Sequence, residues 1–276
     1  MDLISLVLTL HPLAQAEPGQ PLPLWWGRAA HALLLKTLRE LDENLAQDIH
    51  DEEGVRPFTV SSLTGSFRGG QLDLQGSYSL RFSGLTAQVS GFLWQAAQPG
   101  GRLAPGQKVE LDYQAFEVTT AAWEPAVKEW AATASYSELA ASRLVNSQAA
   151  ERHLALQFSS PTQFHSQGHT MPLPLPELVF GSLADRWNSF APVAFPPELK
   201  RYAAECLAIN RFELGSHTVL IKNGGKRIGA QGTIGYTTLN YDRYWMSLVQ
   251  TLAAFALFAG VGAGVSMGMG QARQII

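Results

Sequence analysis

With 276 residues, 46% of them hydrophobic, the chain can fill one large domain or two of ordinary size around a substantial core. Only 16% of the residues are charged and the formal net charge is -3. That excludes a protein that coats nucleic acid through an overall positive field, so any contact with nucleic acid must use local basic clusters. The single cysteine, Cys206, excludes an intramolecular disulfide and fits a reducing cytoplasm.

The first ten residues are apolar but carry Asp2 and no basic flank, so Leu3 to Thr9 reads as a strand rather than a signal peptide. A helix follows from about Trp25, with Ala29, Ala30, Leu33, Leu34, Leu38 and Leu41 on one face. Asp42-Glu43-Asn44 offers a break, a short second helix runs to about His50, and Gly54 ends it. Pro57 to Phe82 is strand-like, with turn chemistry at Gly69-Gly70 and Gly76-Ser77. Leu85 to Ala97 is a further helix, and the alternation through Lys108 to Ala122 predicts one long strand. The pattern is β-α-β-β-α-β, which is ferredoxin-like. This gives a first domain over 1–125 and a linker of helical propensity over 126–152.

The remainder, 153–276, repeats the order of elements without a residue-level repeat. A strand over Leu154 to Phe158 precedes the proline run Met171 to Pro176, which leads into a helix over Glu177 to Phe190. Pro196-Pro197 starts another helix, Glu198 to Leu207. Strands over Arg211 to Ile221 and Ile228 to Leu239 flank the turn Asn223-Gly224-Gly225, and a helix over Trp245 to Phe258 precedes a glycine-rich end. The fold class expected is therefore α+β, two tandem ferredoxin-like domains. Arg243 to Arg273 contains no intervening charge, but Gly260, Gly262, Gly264, Gly268 and Gly270 interrupt the apolar run and argue against a membrane span.

Those glycines admit three readings. As a dinucleotide fingerprint the segment lacks a following helix, second strand and ribose-binding acid. Gly264-Val265-Ser266-Met267-Gly268 matches G-x-S-x-G, yet no acid and histidine follow it. The third reading is a resemblance. Gly260-Val261-Gly262, five residues, then Gly268-Met269-Gly270 resembles the C-terminal glycine-rich loop of the repeat-associated RNA-processing proteins. These include the sixth Cas family, whose members process CRISPR precursor transcripts. The spacer Ala263 to Met267 lacks the basic residue common there; Arg273 can substitute for it or lie solvated. Phe164 with Leu173-Pro174-Leu175-Pro176, the run Gly229 to Tyr236, and Arg56 to Ser61 are similar to other family segments.

The resemblance implies an endoribonuclease that needs neither metal nor cofactor. The ribose 2′-hydroxyl attacks the adjacent phosphate, leaving a 2′,3′-cyclic phosphate and a 5′-hydroxyl. The reaction needs a base, an acid and a cation on the phosphate. The positions matching the family's are His31 in the first helix, His50 before the glycine that closes the helical region, and Arg56 after it. Histidine titrates near neutrality, so one of a pair can be neutral while the other is protonated. His31 is assigned as base, His50 as acid and Arg56 as phosphate stabiliser, with the first two labels exchangeable. On one unbroken helix the histidines would stand about 28 Å apart at 1.5 Å per residue, so the helix must break near Asp42–Asn44 and fold back.

RNA-binding candidates are the loop glycines Gly260, Gly262, Gly268 and Gly270 together with Arg273, Lys200, Arg201, Lys222, Lys226 and Arg227. The last three flank Gly224-Gly225 and fit a finger for phosphate, or a solvated hairpin tip. His165 and His169 have helical metal spacing, but Gly168 and the nearby prolines oppose a helix, so no metal site is expected. His11, His153 and His217 are read as structural. The implied partners are CRISPR repeat RNA and crRNA, with other Cas proteins of an interference complex as a further class, for a monomer or a homodimer. A competing class is a non-catalytic RNA-binding subunit of the same fold, which has no reason to keep both His31 and His50.

Overall fold

The computed structural model describes residues 1–15, 21–51, 54–144, 150–220 and 225–275; at positions 46, 48, 50 and 51 only the backbone is described. By its contacts the chain divides into two compact units: Met1–Thr133 with Ser266–Gly268, and Ala134–Val265 with Met269–Ile276.

The first unit runs β1 (Leu3–Pro12), α1 (Gly27–Leu41), α2 (Glu43–Asp51), β2 (Phe58–Val60), β3 (Phe67–Arg68), β4 (Gln71–Leu72), β5 (Tyr78–Gly84), α3 (Ala87–Ala97), β6 (Lys108–Leu111) and β7 (Gln114–Ala122). Its main sheet has the order β2-β5-β1-β7-β6 with antiparallel neighbours. Strand alternation sorts the side chains. Ile4, Leu6, Leu8 and Leu10 of β1 and Tyr78, Leu80 and Phe82 of β5 enter one core with Ala30, Leu33, Leu34 and Leu38 of α1. Ala29 and Leu41, on the same predicted stripe, pack at its margin. No side chain caps the start of α1, an omission costing about 1 kcal/mol. Burial of Leu33, Leu34 and Leu38, at about 1.5–3 kcal/mol each, outweighs it.

The expected break is present. Asp42 is extended (φ -153°, ψ 105°) and ends α1, and its Oδ1 accepts the Leu45 N–H at 3.0 Å, capping α2. Leu45 and Ile49 of α2 enter the same core as α1. Gly69 and Gly70 (φ 58° and 78°) form the predicted turn between β3 and β4. The single strand expected over Lys108 to Ala122 is instead a hairpin. Asp112 and Tyr113 both have positive φ (48° and 68°), and Leu111 pairs with Gln114 around a two-residue turn. On the other face of this sheet Arg81 is buried. Its Nη1 donates to Ser5 Oγ at 3.0 Å and its guanidinium lies 5.2 Å from the Trp130 ring centre. Burial pushes Arg81 down to about 9, so it remains a cation at neutral pH.

Residues 126–152 carry β8 (Ala132–Ala134) and α4 (Tyr136–Leu144). Tyr136 is buried, its ring 5.0 Å from that of Trp187 and 5.6 Å from that of Phe255, so α4 packs as part of the second unit. That unit continues with β9 (His153–Thr162), β10 (Phe164–Ser166), β11 (His169–Met171), α5 (Pro176–Phe190), α6 (Glu198–Cys206), β12 (Leu207–Leu220), β13 (Lys226–Thr238), α7 (Arg243–Ala259) and β14 (Ala272–Ile275). Pro176 occupies the first turn of α5, where a missing N–H costs nothing.

The second sheet has the order β12-β13-β9-β14, again antiparallel. Numbered within each sheet, the second reads second, third, first, fourth strand, the ferredoxin-like order, and the first reads second, third, first, fifth, fourth, the same order with the β6–β7 hairpin in the last place. The repeat therefore lies in topology rather than in sequence. Leu154, Leu156, Phe158, Ile234 and Tyr236 are buried on one face, while Ala155, Gln157, Thr233 and Gly235 on the other are partly exposed. Asp242 Oδ1 caps α7 by accepting the Trp245 N–H at 3.1 Å. α7 ends at Gly260, and no described helix is long and apolar enough to cross a membrane.

Asp42→Ala removes the cap of α2 while leaving the core intact. Denaturant unfolding should show a loss of about 1 kcal/mol, and Asp42→Asn should retain most of it. Equal losses in the two variants would show that the cap is not what holds this junction.

Candidate active site

His31 lies one turn into α1 and is half-buried. Its Nδ1–H donates to the main-chain carbonyl of Ser266 at 2.8 Å. A carbonyl oxygen can only accept, so the proton on this side is fixed, and in the neutral ring the lone pair belongs to Nε2. The ring centre is 5.4 Å from that of the buried Phe58, tilted by 52°.

The backbone at 266–268 is held to the start of α1 by further contacts. Trp25 Nε1–H donates to the Met267 carbonyl at 2.7 Å. Gly27 admits no side chain, because a Cβ there would lie 1.8 Å from the Met267 oxygen. Gly268 forms a parallel bridge with Ser61, and its φ of 93° suits glycine. A Cβ on Gly268 would come within 2.9 Å of the Ser62 nitrogen and 3.1 Å of Gly27 Cα. Ser62 Oγ in turn accepts the Trp26 N–H at 3.1 Å. Strand entry, helix start and glycine loop thus meet at His31.

The other two expected catalytic residues flank the end of α2. His50 belongs to the last turn of that helix, and its side chain lies outside the described residues. Arg56 is half-buried and its Nη1 donates to the Ile49 carbonyl. A cation there complements the negative end of the helix.

In the second unit the loop glycines shape the backbone. Gly260, Gly262, Gly264 and Gly270 all have positive φ, 61°, 77°, 79° and 68°. A Cβ would meet the Gln163 oxygen at 2.3 Å from Gly262 and the Val261 oxygen at 2.1 Å from Gly270. Their amides donate to protein acceptors: Gly260 to Ala256 O at 3.0 Å, Gly262 to Ser182 Oγ at 2.9 Å, Gly270 to Pro161 O at 3.1 Å. Gly260, Gly262, Gly268 and Gly270 are buried. Arg186 of α5 donates through Nη2 to the Gly262 carbonyl at 2.6 Å and through Nη1 to Ser182 Oγ at 2.6 Å. Burial pushes Arg186 down to about 10, leaving it charged at neutral pH.

The basic candidates are dispersed. Lys226 is exposed and Arg227 half-buried at the start of β13, while Lys222 lies outside the described residues. A Cβ on Gly264 would lie 3.2 Å from Arg227 Nη1, so a guanidinium stands beside the loop whose own spacer carries no charge. Lys200, on α6, pairs with Asp185 at 2.6 Å in an exposed ion pair of little energetic weight. Arg201 is exposed on the same helix. Arg273, in β14, donates from Nε to Gln157 Oε1 at 2.8 Å. His165 pairs with Thr170 and His169 with Ser166 in the β10–β11 hairpin, which puts the two imidazoles on opposite faces.

Sequence reasoning missed the carbonyls of Ser266 and Met267, because main-chain groups carry no residue signal. Trp25, Gly27 and Arg186 gave none either.

Comparison with known proteins extends the picture beyond this site. The family model for the CRISPR-associated endoribonuclease Cas6 matches residues 156–272, and that for the CRISPR Cas6 N-terminal domain matches residues 3–81. The CRISPR-associated endoribonuclease Cas6 of Mycobacterium tuberculosis (strain CDC 1551 / Oshkosh) is 30% identical over 124 residues. That match spans 44% of this chain and 38% of the relative, well under two thirds of its length. A Cas6 solved as a product complex is 26% identical with a TM-score of 0.77, covering 100% of both chains. Thermus thermophilus Cas6, also as a product complex, is 25% identical with a TM-score of 0.76, covering 99% of this chain and 100% of that one. With each half matched by a model of the same family, and the fold shared from end to end with solved members, this chain belongs to the CRISPR-associated endoribonucleases of the Cas6 family.

Proposed function

We propose that this chain cuts CRISPR repeat RNA in precursor transcripts to give crRNA, by an internal transesterification without metal. The observation that carries the reading is the hydrogen bond from His31 Nδ1 to the Ser266 carbonyl. It fits an imidazole held in one orientation with its basic nitrogen on the far side of the ring. In the proposed reaction His31 Nε2 removes the proton from the ribose 2′-hydroxyl. The 2′-oxygen bonds to phosphorus, and the bond from phosphorus to the 5′-oxygen breaks. His50 donates a proton to that departing oxygen, and Arg56 offsets the charge that grows on the phosphate. The products are a 2′,3′-cyclic phosphate and a 5′-hydroxyl. Solved relatives described as product and substrate-mimic complexes support an RNA substrate class.

The backbone of the RNA is proposed to run along Lys222, Lys226 and Arg227, with Arg227 contributing charge beside Gly264. Lys200, Arg201 and Arg273 are secondary candidates. The buried glycines Gly260, Gly262, Gly268 and Gly270 are proposed to act through loop shape. The domain division proposed, 1–125 and 153–276 around 126–152, puts the three catalytic candidates in the first domain.

A labelled repeat RNA incubated with the protein in EDTA should be cut once, leaving a 2′,3′-cyclic end. RNA that is bound but stays intact would instead favour the non-catalytic RNA-binding subunit. His31→Ala and His50→Ala should each slow cutting by about 10²–10⁴-fold, the usual worth of a general base or acid, while affinity stays nearly intact. Loss of binding would mark both as structural. Neutralising Lys222, Lys226 and Arg227 together should reduce the slope of log affinity against log salt by about 2, at about 0.7 per phosphate contact on a single strand. An unchanged slope would remove them from the interface.

A further inference from the structure

Two main-chain oxygens, those of Ser266 and Met267, accept from ring N–H groups at the start of α1: His31 Nδ1 at 2.8 Å and Trp25 Nε1 at 2.7 Å. The backbone that presents them is closely confined. Gly268 is in the left-handed region against Ser62, and Gly27 leaves no space between its Cα and the Met267 oxygen. The amides of Gly260, Gly262 and Gly270 donate to protein acceptors. At those positions the glycine segment offers no amide cradle to a phosphate, whereas its tip offers carbonyls to an imidazole and an indole.

We infer that the glycine-rich segment is the positioning element of the catalytic histidine, with the Ser266 carbonyl selecting the Nδ1–H tautomer of His31 and making Nε2 the nitrogen that exchanges a proton with the substrate. The inference rests on the reading of His31 as the base. In acid–base catalysis a third group commonly orients the base through its other ring nitrogen. A carbonyl also suits the charge change: when Nε2 takes the proton, the Nδ1–H bond becomes charge-assisted and strengthens. Trp25 is then a positioning residue, because its indole N–H fixes the next carbonyl in the chain and so the direction of the Ser266 oxygen. Gly27 has the same role by being small.

The test uses the full-length protein with ¹⁵N-labelled histidine, at a pH roughly two units above the ordinary imidazole value so that the rings are neutral. The His31 signals are identified by their loss in His31→Asn. His31 should show a protonated Nδ1 and an unprotonated Nε2; the opposite tautomer would overturn the inference. Trp25→Phe, which keeps an aromatic ring, and Gly27→Ala, which pushes the Met267 oxygen away, should each let the other tautomer appear. Each should also lower the cleavage rate at saturating RNA by about tenfold, a part of what a general base supplies, with affinity unchanged. Trp25→Phe covers the case in which Gly27→Ala fails to fold. If Trp25→Phe keeps both the tautomer and the rate, or loses affinity and not rate, the segment does not position His31. A His31→Ala protein that cuts at the parental rate would sink the assignment of His31 as base, whatever the tautomer.

Discussion

One hydrogen bond to a main-chain carbonyl, from His31 Nδ1 to Ser266, fixes how the first unit holds its half-buried imidazole. An imidazole free to rotate and to exchange tautomers offers its lone pair in the right direction only part of the time. Bonded to an acceptor on one side, it presents the other nitrogen in one place. No side chain supplies that acceptor, so the contact depends on the path of the backbone. This explains why the surrounding residues are small or in unusual conformations: Gly268 at φ 93°, and Gly27 with a carbonyl where its Cβ would be.

The rest of the first unit fixes the other partner in that bond. Ala30, Leu33, Leu34 and Leu38 tie α1 to the β1–β5 core, so its first turn cannot roll away from the 266–268 backbone. Asp42 ends α1 and caps α2, and Arg56 donates to the last turn of α2, beside the backbone position of His50. Helix start, helix break and strand entry are each held by a contact of a different kind. Apolar burial supplies most of the energy, and hydrogen bonds supply direction.

Patterns set by side chains were readable in the sequence. The stripe on α1 has helical period, Asp42-Glu43-Asn44 announces a break, and the element order gives the ferredoxin-like sheet of each unit. The hairpin at Asp112-Tyr113 was not readable, because neither residue is glycine and the apolar alternation runs on through the turn. The packing of Tyr136 against Trp187 and Phe255 depends on partners far along the chain, so the surrounding residues read as a linker. The glycines Gly260 to Gly270 were conspicuous as composition. What they do depends on φ and on which groups their amides meet, and neither is written in residue identity. The Ser266 carbonyl is the extreme case, since every residue has one.

The proposed reaction begins with a proton on a sugar hydroxyl, and the most direct measurement removes that hydroxyl. A repeat RNA with a single 2′-deoxy nucleotide immediately before the scissile phosphate should bind as the parent does and remain uncut. Cleavage of that RNA at the same phosphate would mean that another nucleophile attacks, and His31, however well oriented, would have no 2′-hydroxyl proton to take.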